Sequence, residues 1–514
     1  MTQPPGRPLL ALVALPLCLA CAETAPPPAA PVAATAPASA APRVTSFEAG
    51  PSGVTLHTTL GIIALTAVND HVVRVRAART PDGQDLRHDF SWAVVPGASA
   101  PNAKVTVADE GAALVASTAA VRVRVEKEPL RLLFLDAAGR VLSADARPMS
   151  LGPAGFRVDK VMPFDEHYYG LGDKAGPLDR REMAFANWNT DAYAWQESTD
   201  PLYKTIPFFL AVRQGRAHGL FVDDTWRSWF DFGKQARDTY SFGAEGGALD
   251  YYFIDGPDPK AVLARYADLT GKAPLPPLWS LGFQQCRYSY YPEARVREIA
   301  RTFRAKKIPA DVIYLDIDYQ KDNRPFTIDA DRFPHFDQMI ADLGHEGFKV
   351  IAITDLHLAK AAGYAPYDEG LAGNDFVHAA DGSVFVGKVW PGDSVFPDFT
   401  WAPARAWWGT LYADFVKRGV AGFWNDMNEP SVFWEQRTMP LDVVHRVDSG
   451  GTTSHREVHT VFGMENSRAT YAGRLKLQEN RRPVVLTRAT YAGGQRYAAS
   501  WTGDNSSTWN HYRI

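Results

Sequence analysis

"AWWGTLYADFVKRGVAGFWND", residues 406–426, sets the fold: a helix that stops at Gly419, then a run of small and aromatic residues that stops abruptly at Asp426. The same rhythm recurs on both sides. Upstream, "WSLGFQQC" (279–286) reads as an apolar strand. In "PEARVREIARTFRAKK" (292–307), Val296, Ile299, Ala300 and Phe303 share one helix face. "DVIYLDID" (311–318) and "FKVIAITD" (348–355) read as further buried strands, and "RPVVLTRA" (482–489) and "YAASWTGD" (497–504) continue the series downstream. Strands alternating with helices imply a parallel sheet, either doubly wound or closed into a (β/α)8 barrel. No glycine-rich phosphate loop follows the first strand, which argues against a dinucleotide fold.

Between about residues 44 and 255 the period is two instead. "HVVRVRAAR" (71–79) and "AAVRVRVEKEPLRLLFLDAAGRVL" (119–142) alternate apolar with charged residues and break at turns, as half-buried antiparallel strands do. A β-sandwich over residues 44–275 is expected. The prolines of "TGKAPLPPLWSLGF" (270–283) mark its boundary with a second domain over 276–514.

The chain begins with an address. The apolar run "LLALVALPLCLA" (9–20), behind Arg7, is too short to span a bilayer and has signal-peptide length. "CLAC", ending at Cys21, resembles a bacterial lipoprotein processing site, so residues 1–21 are read as the signal and Cys21 as a lipid anchor. The Ala- and Pro-rich stretch 22–43 reads as a tether that cannot bury enough apolar surface to fold. The expected location is the periplasm or the outer membrane, and the anchor is the only expected membrane contact. A cleaved signal before a secreted enzyme is the alternative reading.

Lys and Arg total 54 against 58 Asp and Glu, a net charge of −4, so no basic excess advertises a nucleic-acid partner. The 14 Trp, 20 Tyr and 27 Phe are mostly core material, but aromatic faces also stack on sugars. With Cys21 lipidated, Cys286 would stand alone and no disulfide framework forms.

A polar residue closes strand after strand: Asp316 and Asp318, Asp355, Asp426, Arg488 and Asp504. A single such Asp is most simply a helix N-cap. Several, converging on the carboxyl-terminal mouth of a barrel with Trp424 and Trp501 nearby, describe a site. Two carboxylates, an arginine and tryptophans suit glycoside hydrolysis, whose oxocarbenium-like transition state needs one carboxylate beneath the ring and one acid at the leaving oxygen. A metal site using His357 beside Asp355 is the competing view, and no His-x-x-His or similar ligand spacing supports it. No metal and no cofactor are expected.

Several segments closely resemble glycoside hydrolase family 31, the α-glucosidase family: "YGLGDKAGPLDRR" (169–181), "VIYLDIDY" (312–319), "VWPGDSVFPDFT" (389–400), "GFWNDMNEP" (422–430), "HREVHTVFG" (455–463) and "RATYAGGQRYAASWTGDNSSTW" (488–509). The resemblance runs from about residue 160 to the end. It implies a galactose-mutarotase-like sandwich before a (β/α)8 (TIM) barrel, and a retaining α-glucosidase acting on the non-reducing ends of oligosaccharides. It implies Asp426 as nucleophile and Asp504 as acid/base. Substrate contacts would fall on Asp316, Ile317, Trp390, Trp424, Met427, Arg488 and Trp501. One further Asp of "NWNTDAYAWQESTD" (187–200) would reach the pocket, either Asp191 or Asp200; Asp200 is carried in the expected set.

Two features depart from the family pattern. Leu356 stands where a proline usually follows the third strand's Asp, and six strands are counted where a closed barrel needs eight. The sequence is therefore read as a C-terminally truncated fragment, with a non-catalytic carbohydrate-binding remnant, or a member acting on α-xylosides, as the alternatives.

Overall fold

The computed structural model describes residues 41–514 apart from 79–85, 87–88, 154 and 435. The signal, the Cys21 anchor and nearly all of the tether lie outside the described residues. Among those described, no helix is long and apolar enough to cross a membrane.

The period-two half forms three antiparallel sheets. The largest has eight strands, running from Val44–Gly50 at one edge through Val72–Ala77 and Leu249–Gly256 to Glu166–Gly170 at the other. Two five-stranded sheets accompany it, and one of them is the meander from Thr106–Asp109 to Val141–Ala144. Alternation in sequence becomes alternation in burial. Along Val121–Lys127 the valines 121, 123 and 125 point into the core while Arg122 is exposed. Leu130, Leu132 and Phe134 of the next strand join the same core.

The second half forms one six-stranded parallel sheet in sequence order: Gln284–Gln285, Val312–Leu315, Lys349–Asp355, Gly422–Asp426, Val485–Thr487 and Ala499–Ser500. Helices intervene at Glu293–Ala305, Phe336–His345, Ala402–Thr410 with Ala413–Lys417, and His455–Leu477. The first is the expected amphipathic helix, with Val296 and Ala300 fully buried.

Three expected elements take a different form. The run 279–286 is a 3-10 turn, Leu278–Leu281, followed by two paired residues, because Pro276 and Pro277 lead into it and Leu278 and Leu281 find no core. The helix expected over 406–419 starts earlier, at Ala402, with Pro403 in its first turn, and breaks at Leu411–Tyr412. The break turns Tyr412 inward, where its hydroxyl lies 3.1 Å from Thr354, 3.0 Å from Thr470 and 3.3 Å from Asn425. The strand expected over 497–504 keeps only Ala499–Ser500, and the rest is loop.

A shared apolar cluster joins the halves, with Phe208, Phe221 and Tyr252 from the sandwich against Val458, Val461, Met464 and Tyr491 from the sheet-and-helix half. Polar contacts fix the register. Asn189 Nδ2 donates to the carbonyls of Thr460 and Thr490, and the Lys204 ammonium donates to the Trp501 carbonyl at 2.5 Å. Through these contacts the sandwich loop 187–204 reaches the strand ends.

Candidate active site

In a parallel sheet all carboxyl ends face one way, so residues that close neighbouring strands are brought side by side. Asp355 and Asp426 are direct register partners, and the Arg488 backbone N–H donates to the Asn425 carbonyl at 3.1 Å. Asp316 follows the strand Val312–Leu315 and begins a 3-10 turn in which the Ile317 N–H donates to its carboxylate at 2.7 Å. Asp426 repeats the arrangement: the chain turns into the left-handed region at Met427 (φ 58°), and the Met427 N–H donates to Asp426 Oδ1 at 2.7 Å. Sharp turns after both residues leave the carboxyl groups pointing off the sheet.

Arg488 organises the centre. Its guanidinium grips Glu429 with two bonds of 2.8 Å, reaches Asp426 Oδ1 at 2.9 Å and Asp504 Oδ2 at 3.2 Å, and stands 3.4 Å from Asp191 Oδ1. The paired Glu429 bonds match the planar fork of an arginine to a carboxylate. Carboxyl groups as buried and as close as Asp426 and Glu429 cannot both ionise comfortably beside a single cation. Burial drives the Asp426 carboxyl well above the usual range; Arg488 opposes this, and Asp355, Asp504 and Glu429 add to it. Glu429 is raised in the same way, chiefly by burial and against Arg488. Asp316 is pushed up to about 7 by burial and then by Asp318 and Asp504. Asp355 reaches about 8 through burial and Asp316, with Arg488 opposing. The site thus stores protons beside a permanent cation.

Asp504 sits differently, with its side chain 46% exposed. The Tyr203 hydroxyl donates to its carboxylate at 3.4 Å and accepts from its backbone N–H at 3.2 Å. The Tyr203 ring also faces the Arg488 guanidinium, 5.1 Å away. The preceding Gly503 (φ 75°) lets the tyrosine lie against the backbone, since a Cβ there would stand 2.0 Å from its ring.

Of these groups Arg488 and Asp504 line a cavity of about 650 Å³, together with Asp191, Trp390, Met427, Phe433 and Arg437, and Asp426 lies behind its wall in contact with Arg488. Trp390 is 43% exposed and meets Phe433 edge to face at 4.8 Å, an aromatic rim suited to a sugar face. Trp424 and Trp501 pack edge to face at 5.4 Å, and among the described residues the buried Trp424 Nε1 finds no acceptor. Ile317 is buried behind Asp316.

The loop 187–200 resolves in favour of Asp191, which lines the cavity and accepts from the Ser431 hydroxyl at 2.6 Å. Asp200, carried in the expected set, is elsewhere. It pairs with the Lys174 ammonium at 2.8 Å and accepts from the Ala186 N–H at 2.5 Å, a structural tie inside the sandwich domain. Sequence reasoning gave no role to Tyr203, Arg437 or Phe433, which no strand end or motif marks. Asp355 was visible as a strand end, with no role beyond the competing metal reading beside His357. Among the described residues, no group of three or more His, Cys, Asp or Glu is placed to hold a metal ion. His357 lies 3.7 Å from Asp355, and burial holds its ring down at about 3.

Comparison with known proteins agrees with this architecture. Residues 273–514 match the sequence model described as the glycosyl hydrolases family 31 TIM-barrel domain, and residues 62–231 match the glycosyl hydrolase 31 N-terminal galactose mutarotase-like domain. Alpha-glucosidase 2 of Bacillus thermoamyloliquefaciens is 45% identical over 463 residues, covering 90% of this chain and 58% of that protein. An alpha-glucosidase of Saccharolobus solfataricus is 34% identical over 377 residues, covering 70% and 54%. Among solved structures, a Flavobacterium johnsoniae GH31 dextranase complexed with isomaltotriose superposes with a TM-score of 0.85 at 32% identity, covering 92% of this chain and 58% of that one. The chain thus spans little more than half the length of these relatives.

Proposed function

The chain belongs to glycoside hydrolase family 31, and on that footing we propose that its cavity serves a retaining α-glucosidase that releases glucose from non-reducing ends. The observation that carries the proposal is the single Arg488 guanidinium contacting both Asp426 and Asp504 at the cavity. Asp426 attacks the anomeric carbon while Asp504 gives its proton to the departing oxygen; a glycosyl ester forms on Asp426 as the glycosidic bond breaks. Water, deprotonated by Asp504, then cleaves the ester and restores both groups. Arg488, charged throughout, favours the ionised form of Asp426 against burial. Retention asks for carboxyl groups about 5–5.5 Å apart, and sharing one guanidinium favours such closeness. In this proposal Asp191 and Asp316 supply acceptors for sugar hydroxyls and Trp390 stacks on the ring; Asp191, Trp390 and Met427 line the cavity, and Ile317, Trp424 and Trp501 act from behind that lining.

We further propose an exported protein held by a lipid on Cys21. Incorporation of an alkyne-tagged fatty acid, abolished by Cys21→Ser, is the expected outcome; equal labelling of the variant would remove the anchor.

Hydrolysis of an aryl α-glucoside by this chain, with α-glucose as the first-formed product and loss of turnover in Asp426→Ala, tests the enzymatic reading. Sugar binding without hydrolysis in the unsubstituted chain would replace it with the carbohydrate-binding alternative.

A further inference from the structure

Behind the cavity wall lies a row of buried groups that the proposed chemistry does not use. Asp398 Oδ1 is 3.3 Å from His445 Nδ1, and His445 Nε2 is 2.9 Å from His455 Nδ1. His455 Nε2 is in turn 2.9 Å from His459 Nδ1, and His459 Nε2 is 2.7 Å from the Asn189 carbonyl. Asp398 and all three histidines are fully buried. The row therefore has four gaps between heavy atoms, and both of its ends are acceptors.

Each gap needs one proton, because two facing lone pairs repel at such distances. Three neutral imidazoles carry three protons. The fourth comes from the carboxyl of Asp398 or from a second proton on one ring. Asp398 already accepts from the Thr400 hydroxyl at 2.8 Å, the Arg446 backbone N–H at 2.8 Å and the Arg446 side chain at 3.4 Å, and His445 and the Arg446 N–H hold its carboxyl below the usual range against burial, so the proton falls to a ring with Asp398 as counter-ion. His455 and His459 are driven down by burial and by neighbouring rings, His459 to about 3, and His445 is the ring that faces Asp398 directly. The other polar or charged groups around the row are Thr400 and Arg446 at Asp398, Thr438 at the His455–His459 gap, and Arg227 and His378 further out.

The far end of the row belongs to the active-site wall. The Trp188 ring stacks on His459 at 3.7 Å, Asn189 accepts its N–H, and Asp191 follows two residues on. Thr438, 3.3 Å from both His455 and His459, adjoins Arg437, whose guanidinium donates to the Asp191 carbonyl.

We propose that Asp398, His445, His455 and His459 form a proton-counted relay in which one imidazolium, paired with Asp398, holds the Trp188–Asp191 loop in place, making these histidines positioning residues for the cavity. The extra proton stabilises the folded loop at low pH, and its contribution is lost as pH rises through the folded-state titration of the relay. One gap then opens, and the loop that presents Asp191 loosens.

The proton count is independent of the proposed enzymatic function; only its catalytic consequence rests on that reading. The test is nitrogen-15 histidine NMR on the whole chain, without substrate, for the unsubstituted protein and Asp398→Asn. The amide of Asn can itself donate into His445 Nδ1, so three neutral rings then fill four gaps. The expected result is one doubly protonated ring that persists well above the titration of an exposed histidine (about 6.5), beside two neutral Nε2–H rings, with the cation absent in D398N. Where turnover is measurable, KM rises several-fold on the alkaline side while kcat changes less, and this dependence is flat in D398N. Three neutral rings in the unsubstituted protein at pH 7, whether with Asp398 protonated or with His455 protonated on Nδ1 and the Thr438 hydroxyl facing the His455–His459 gap, would overturn the proposal. So would a cation that survives in D398N.

Discussion

Two buried ion clusters divide the molecule's electrostatics between stability and chemistry. In the sandwich, the Lys160 ammonium meets Asp145 at 2.7 Å with both side chains fully buried; the Leu132 N–H donates to the carboxylate, and Phe134 and Tyr251 cover the cation at 5.0 and 5.4 Å. One positive charge answers one negative charge and nothing opens to solvent. Around Arg488, one cation faces Asp191, Asp426, Glu429 and Asp504, and the cluster opens onto a cavity. A balanced, sealed pair can only hold structure. An acid-rich, open one raises the buried carboxyl groups of Asp426 and Glu429 above their usual range beside a cavity, the kind of perturbation that marks functional sites.

The comparison can be broken from either side. The largest expected effect is Asp426→Ala, which should lower turnover of an aryl α-glucoside by about 10⁴-fold or more, the scale of removing a catalytic nucleophile, with little change in melting temperature. Next, Lys160→Met leaves Asp145 without its partner. It should cost about 3–5 kcal/mol of stability, read by denaturant unfolding, whereas K160M combined with Asp145→Leu should recover most of that loss. Neither should alter KM.

Asp191→Asn should raise KM about tenfold or more through a lost charged hydrogen bond, whereas Asp200→Asn should leave KM unchanged and lower only the melting temperature. Equal KM effects from the two would undo the placement of the loop. A smaller effect, about 1 kcal/mol in kcat/KM, is expected for Tyr203→Phe, which removes one hydroxyl from Asp504.

The acid cluster also sets the sign of a pH dependence. Asp316 and Asp355, held near 7 and 8 by burial first and neighbouring carboxylates second, keep their protons in the folded state after the unfolded chain has released its own. Their contribution favours the fold at acid pH and declines from about pH 4 to about pH 8. Asp355→Asn should flatten the melting temperature across that window; an unchanged slope would mean that Asp355 ionises normally.

Much of the architecture was legible because burial leaves periodic traces. Val121, Val123 and Val125 announce their strand through alternation, and Val296 and Ala300 announce their helix through a one-sided face. Asp426 was legible because an apolar strand stops on a charge. What failed lay where tertiary contact overrides local pattern. The apolar residues of 278–283 are largely exposed at a sheet edge rather than buried in a strand, and Tyr412 interrupts a helix to satisfy a hydroxyl network. Asp191 and Asp200 share one loop, and only the partners they meet, Ser431 for one and Lys174 for the other, tell them apart. The histidine row was equally hidden: His455 and His459 share a face of the helix His455–Leu477, but Asp398, His445 and Asn189 reach them only through tertiary contact.

The central claim is that Asp426 forms the bond to sugar, with Glu429 holding Arg488 instead. It is tested most directly by trapping the intermediate with a 5-fluoro-α-glucosyl fluoride and mapping the adduct by peptide mass spectrometry. A single glycosyl adduct on Asp426, absent in Asp426→Ala, is the expected result. An adduct on Glu429, or turnover of the substrate with no covalent species under trapping conditions, would contradict it.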